Sequence, residues 1–336
     1  MMNVKAPQSW KKPNQHIQVL LNSDWYKILA RLYKSIFEAT HDFYKQESIS
    51  PMMLPITTGA ISSPMGKGSD SVPVQVTIKG QKVYLADSMQ FSLEIGTRLS
   101  ERGAYYIMPT FRGEQTDERH LNEFVHSEVE IAGNIDDIMK LAERYIKYMI
   151  KYLLDNNIQD IKEVAGTISH LQNALTKPFG HVSYQDALTE LSNVNGALND
   201  VCDDAKNITK IGEKHLLETH GDFTWLTDLP RILVSFYQAK QPNSNNAFAS
   251  DLLAGIGEIL GCGQRVFSPE DLEESLQEHE VSPEEYTWYK QMREIQPLQT
   301  SGFGLGIERF LLWVMKHDDI RDCTLLLRDH NNFTAP

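Results

Sequence analysis

Two arginine-bearing segments stand almost 200 residues apart in this chain, Phe111-Arg-Gly-Glu-Gln-Thr-Asp-Glu-Arg-His-Leu-Asn-Glu-Phe124 and Gly302-Phe-Gly-Leu-Gly-Ile-Glu-Arg309. Each sets an arginine beside a turn or a helix start, where a polyphosphate could be gripped. Arg112 and Arg309 offer forked, permanently charged donors that match phosphate oxygens two at a time. If both forks serve one anion, the chain must fold so that its two ends build a single domain. That requirement narrows the fold more than any other feature of the sequence.

Local patterning suggests how such a domain is assembled. After Ser23, a candidate N-cap, apolar residues from Trp25 to Phe43 recur at helical spacing, giving a long amphipathic helix to about Gln46. Val74, Val76 and Ile78 alternate with polar residues, Lys79-Gly80-Gln81 turns the chain, and Val83 and Leu85 alternate again, which reads as a β-hairpin. A strand at about 104–108 leads into the first arginine segment. Beyond it, Phe124, His126, Glu128 and Glu130 fall on one strand face, the natural ligand face, opposite Val125, Ser127, Val129 and Ile131. A helical stripe follows from Asp136 to Leu154. Residues 156–221, polar and broken by Pro178, Gly180 and Gly196, read as a helical insertion, with strands resuming at 223–226 and around 255–266. Ser268-Pro-Glu-Asp and Ser282-Pro-Glu-Glu mark two short helix starts.

Composition limits the function classes. At 336 residues, 41% hydrophobic and 23% charged, the chain has the make-up of a globular protein, with no apolar run long enough to span a bilayer and no secretory pattern in residues 1–14. Cys202, Cys262 and Cys323 have neither metal-ligand spacing nor an even count, so free thiols and a cytoplasmic setting are expected. A net charge of −13 without a Lys/Arg cluster counts against nucleic acid as a partner.

The two segments resemble motifs 2 and 3 of class II aminoacyl-tRNA synthetases, in the asparagine/aspartate subclass. Glu284-Glu-Tyr-Thr-Trp-Tyr-Lys-Gln-Met-Arg293 and Asp251-Leu-Leu-Ala-Gly-Ile-Gly-Glu-Ile-Leu-Gly-Cys-Gly-Gln-Arg265 are similar to asparaginyl-tRNA synthetase in particular. The resemblance implies an α+β fold, one antiparallel sheet flanked by helices, running from residue 23 to 336 behind an extension at 1–22, with a homodimer formed through motif 1. It leaves no room in this sequence for the subclass's anticodon-reading domain. It also implies ATP and Mg²⁺. Arg112 would hold the α-phosphate and the attacking carboxylate, Glu114 the adenine amino group, Phe124 the adenine ring, Arg119 and His120 the outer phosphates, and Arg309 the γ-phosphate. Gly304 and Gly306 would let the nucleotide approach the backbone. Read alone, Arg119 or His120 is a solvated loop residue. Asp251 and Glu258 resemble the magnesium-binding acids, with a strand-edge cap as the other reading of Asp251.

For the acid, Gln90 matches the glutamine that contacts the substrate's carboxylate or amine, and Arg265 the arginine that binds its side chain. Glu94, beside the apolar Leu93, matches asparaginyl enzymes and would favour an amide, the other reading being an ordinary helix-face acid. Two departures count against a free α-amine on the substrate and against the terminal adenosine of tRNA as the acceptor. The loop Thr57 to Asp70 lacks the family's Glu-Gly, and Gln299-Thr300 replaces its Pro-His. Archaeal asparagine synthetases that look like truncated members of the subclass share the first. The expected activity is AMP-forming activation of asparagine, aspartate or a derivative, with transfer to ammonia or another small acceptor. A truncated synthetase that charges tRNA and a non-catalytic ATP- or amino-acid-binding paralogue are the alternatives.

Overall fold

The long helix begins where the sequence places it. In the computed structural model, which describes residues 4–62, 71–202 and 205–328, a short helix α1 (His16–Asn22) is followed by α2 (Asp24–Gln46), with Ser23 at the N-cap position. The predicted stripe of α2 is its buried face, with Ile28, Leu29, Leu32 and Ile36 at or near zero exposure. Each such side chain removed from water contributes about 1.5–3 kcal/mol. The chain then forms β1 (Ser50–Pro51), β2 (Thr57–Thr58), β3 (Val74–Ile78), β4 (Gln81–Leu85) and helix α3 (Gln90–Leu99). β3 and β4 pair as the expected hairpin, and Lys79 and Gly80 both take positive φ, 49° and 83°, as a two-residue turn of this hand requires. β5 (Gly103–Phe111) and β6 (Glu123–Ala132) carry the first arginine segment between them.

α4 (Ile135–Ala165) opens on a capping box made by Asn134 and Asp137 and is interrupted at Asn157. The segment expected to be a helical insertion contains α5 (Ser169–Thr176), β7 (Gly180–Ser183), α6 (Tyr184–Leu191), the hairpin β8 (Leu198–Cys202) and β9 (Ala205–Ile208), and α7 (Lys210–His220). It is therefore mixed rather than helical, and β7 adds a parallel edge strand to the main sheet. Next come β10 (Phe223–Thr227), β11 (Ala249–Ala254), β12 (Gly257–Gln264), α8 (Pro269–Glu278), α9 (Thr287–Ile295), β13 (Thr300–Gly306) and α10 (Ile307–Met315).

One sheet organises the molecule, in the order β1-β5-β6-β13-β12-β11-β10-β7. The pairings from β5 through β10 are antiparallel, and only the two edge pairings are parallel. This is the α+β architecture read from the sequence. Helices α2, α4 and α10 bury one face of the sheet, where Tyr44 stacks on Tyr105 at 4.3 Å and Phe303 faces Tyr145 at 6.0 Å. The other face carries the polar side chains of β6, β11 and β12. The segment before α2 is tied down by Trp10, whose indole donates to Asp322, and by His16, which meets the carbonyl of Leu325. No helix among the described residues is long and apolar enough to cross a membrane.

Candidate active site

Strand register brings the two arginine segments together. β13 lies between β6 and β12, with Gly304 opposite Glu128 and Gly306 opposite His126, so the start of α10 emerges beside the β5–β6 loop. That loop is closed by Arg112 N–H donating to the Asn122 carbonyl at 3.0 Å, while the Asn122 amide donates to the carbonyls of Arg112 and Glu114. Asp117 accepts from the backbone N–H groups of Arg119 and His120 and meets His120 Nδ1 at 2.8 Å. Burial pushes the Asp117 carboxyl up, but these bonds and Lys210 leave it below its ordinary value. Arg112 lies over the Phe124 ring at 5.7 Å. Arg309 donates to the Glu258 carbonyl at 2.7 Å.

Arg112, Phe124, Glu258 and Arg309 line a cavity of about 200 Å³. All nine residues assigned to ATP from the sequence border it: Arg112, Glu114, Arg119, His120, Phe124, Glu258, Gly304, Gly306 and Arg309. A second lobe of about 270 Å³ adjoins it, with Gln90, Asp251 and Arg265 in its lining, and the two lobes share Arg112, His126, Glu258 and Gly304. A larger cleft of about 1000 Å³ lies elsewhere, between α5, α7 and the end of α10, and contains none of these residues.

Three buried nitrogens in this double cavity have no hydrogen-bond partner among the described residues: Gln90 Nε2, Arg112 Nε and Arg119 Nε. Buried donors are almost always paired, so an unpaired set in one cavity marks where a ligand's oxygens belong. Asp251 and Glu258 face each other across Gly261, where a Cβ would lie 3.4 Å from an oxygen of each. Burial, with repulsion from Glu258 and Glu213, pushes the Asp251 carboxyl well above its ordinary value. Two hard carboxylates that repel each other fit a divalent cation that would bind with phosphates and water.

One expected residue lies elsewhere. Glu94 does not line the acid lobe. It is fully buried beneath it, where Tyr289 donates to one of its oxygens and Arg293 to the other, the latter at 3.1 Å. A carboxylate on a helix turned into the core needs such partners, and α9 supplies them. Arg265 does line the lobe, but its fork is held by Glu130, at 2.9 Å from Nη2, and by Gln238 at 3.1 Å. Burial lifts Glu130 above its ordinary value against the pull of Arg265, and Glu94 adds repulsion. Besides Asp251 and Glu258, the acid that faces the cavity is Glu128, which accepts from Ser88 at 2.7 Å and from Tyr106, with His126 Nδ1 at 3.2 Å. Burial pushes its carboxyl up, and these partners hold it below the ordinary value all the same. Glu128 and His126 stood on the predicted ligand face of β6. The period-2 pattern gives the face without distinguishing which of its acids borders the cavity. Of the loop Thr57 to Asp70, residues 63–70 lie outside the described residues.

An antiparallel sheet with two arginine forks and paired acids at one end defines a nucleotide-activating catalytic domain. The profile of the tRNA synthetases class II (D, K and N) family matches residues 11–329, and the chain belongs to that family. It is 30% identical over 315 residues to the asparagine–tRNA ligase of Koribacter versatilis, covering 92% of this chain and 70% of that one. It is 33% identical over 251 residues to the asparagine–tRNA ligase of Pyrococcus abyssi, covering 73% and 56%. Among solved structures, the asparaginyl-tRNA synthetase of Pyrococcus horikoshii complexed with asparaginyl-adenylate superposes with a TM-score of 0.87 at 26% identity, covering 98% of this chain and 74% of that one. The protein is accordingly an adenylate-forming ligase of the asparaginyl type.

Proposed function

We propose that the protein activates asparagine or a close derivative as an acyl-adenylate, with release of pyrophosphate, and passes it to ammonia or another small acceptor. The observation that carries the activation step is the line of three unpartnered buried donors, Gln90, Arg112 and Arg119, running from the acid lobe to the outer nucleotide lobe. Gln90 orients the acid. Arg112, at the junction of the lobes, bridges the attacking carboxylate and the α-phosphate and stabilises the charge that builds there. Arg119, His120 and Arg309 hold the outer phosphates, and Glu114 and Phe124 the adenine. Asp251 and Glu258 would hold Mg²⁺, which draws charge off the phosphates when bound.

The acid lobe supports an amide side chain for a reason that differs from the sequence argument. Arg265 is already neutralised by Glu130, while Glu128 presents an ionised carboxylate to the cavity. A ligand NH₂ can donate to Glu128, whereas a second carboxylate would face it unpaired. Pyrophosphate exchange without tRNA, screened over asparagine, aspartate and N-acylated forms, tests the reading, and asparagine is expected to outperform aspartate. Glu128→Gln should narrow that preference, and Glu94→Gln should leave it in place. Aspartate preferred by the wild type would reverse the assignment.

Small amines and tRNA compete as acceptors. The relatives' activity as tRNA ligases favours tRNA, and the net charge of −13 favours a small molecule. Transfer of labelled acid to ammonia, compared with transfer to total tRNA, decides between them.

A further inference from the structure

The segment 156–221 sets one acidic side chain against an arginine of the nucleotide lobe. Glu213, in the first turn of α7, sets Oε2 2.8 Å from Arg119 Nη2, with 13% and 11% of the two side chains exposed. Its other oxygen accepts the Glu258 backbone N–H at 3.4 Å. Lys210, at the start of the same helix, is bonded to Glu118 and lies 3.6 Å from Asp117, both in the loop that carries Arg119. Thr209 caps that helix start. Across from the pair stands Gly257, with φ at 134°, where a Cβ would collide with both Arg119 and Glu213. The backbone of β12 therefore closes directly onto the ion pair, and no side chain can separate it from the site.

We infer that Glu213 is a positioning residue for the outer phosphates of ATP, acting through Arg119. The inference rests on the adenylation reading. Arg119 is nearly buried, and a buried guanidinium without a counter-charge is strongly disfavoured and turns toward solvent. Glu213 Oε2 pairs by charge with one end of the fork, 2.8 Å from Nη2, and leaves Nε without a partner for an incoming oxygen. A forked donor held at one end loses less freedom when it binds a phosphate at the other. Glu213 does not itself contact the nucleotide in this arrangement. A carboxylate beside a polyphosphate is repelled unless an arginine lies between them, as Arg119 does here.

A double-mutant cycle on the KM for ATP tests the idea. Glu213→Ala is expected to raise that KM about tenfold while kcat changes by less than about threefold, the signature of lost binding common to ground and transition states. Arg119→Ala should do at least as much, and the double variant should be no worse than Arg119→Ala alone. Glu213→Gln keeps an acceptor oxygen in the same shape, so it should fall between wild type and Glu213→Ala. It also serves if the alanine variant fails to fold. Additive losses in the double variant would overturn the inference, because Glu213 would then act without Arg119. So would a wild-type KM in both Glu213 variants accompanied by a lowered Tm, which means that the contact only ties α7 to the loop. Calorimetric titration with ATP runs the same cycle on Kd. If the wild type exchanges pyrophosphate with no acid, the adenylation reading fails, and the calorimetric cycle still decides whether Glu213 acts through Arg119.

Discussion

Arg112 and Arg309 come from opposite halves of the sequence, yet they border one cavity of about 200 Å³. Each is expected to be indispensable to activation. Losing one preorganised donor at developing charge costs roughly 2.7–4 kcal/mol, or 10²–10³ in rate. Arg112→Ala and Arg309→Ala should therefore abolish measurable pyrophosphate exchange while near-native melting is retained, and exchange at the wild-type rate in either would remove it from the mechanism. Glu308, one residue before Arg309, supplies a different test. Burial lifts its carboxyl from 4.5 to about 7, against bonds from the Val125 N–H and from Tyr33. A carboxyl raised in the fold favours the protonated native state. Its stabilisation is full below about pH 4.5 and lost as pH rises through about 7. Urea denaturation across that window should show wild type losing up to a few kcal/mol relative to Glu308→Gln, whose side chain does not titrate. Parallel pH profiles for the two proteins would contradict it.

At the scale of elements, the sequence was most legible where a pattern was long or a turn was specified. α2, the β3–β4 hairpin and the β5–β6 pair fall where periodicity and the Lys79-Gly80-Gln81 turn put them, with Gln81 already in the second strand. That Arg112, Arg119 and Arg309 border one cavity was legible too, because they sit on a closed loop and a helix start whose local chemistry is distinctive. The strands at 180–183 and 198–208 were missed. β7 is a short edge strand made by pairing with β10, and β8–β9 carries polar residues with little alternation, so tertiary partners decide both. Glu94 was misplaced for a related reason. Nothing local says that α3 turns this acid toward Arg293 on α9, almost 200 residues away. The close packing of β13 offers an element-level prediction. A Cβ on Gly302 would collide with the Glu130 carboxylate and lie 2.6 Å from Arg265 Nη2. Gly302→Ala should thus displace the pair that shapes the acid lobe, raising the KM for the amino acid about tenfold or more with a smaller effect on the KM for ATP. Equal changes in both would place the damage elsewhere.

For the whole molecule, the open question is what covers the β1 edge. Met53 just beyond β1 is 100% exposed and Leu99 on α3 80%, while Gly96 of the same helix packs against Met52. Exposed apolar groups beside a strand edge suit an isologous partner. Sedimentation is expected to give twice the mass of one chain, and Met53→Asp with Leu99→Asp should shift it toward the monomer. A wild type that sediments as a monomer at micromolar concentration would count against the dimer.

The position of β13 in the sheet also has a consequence for biosynthesis. This strand, residues 300–306, is inserted between β6 and β12, so the centre of the sheet is the last part of it to be made. Until it leaves the ribosome, β6 and β12 each present an unsatisfied ladder, and the nascent chain holds two half-sheets with sticky inner margins. Neither half has both arginines, so the growing polypeptide lacks the cavity that Arg112 and Arg309 border. The long sequence separation of the closing contacts makes that final step slow compared with local hairpins. A ribosome-arrested chain ending before residue 300 is expected to resist ATP-agarose and to be cut readily by protease, whereas one extended past α10 should bind and be protected. Ligand capture and completion of the fold are then one event, reached only when the C-terminal segment arrives.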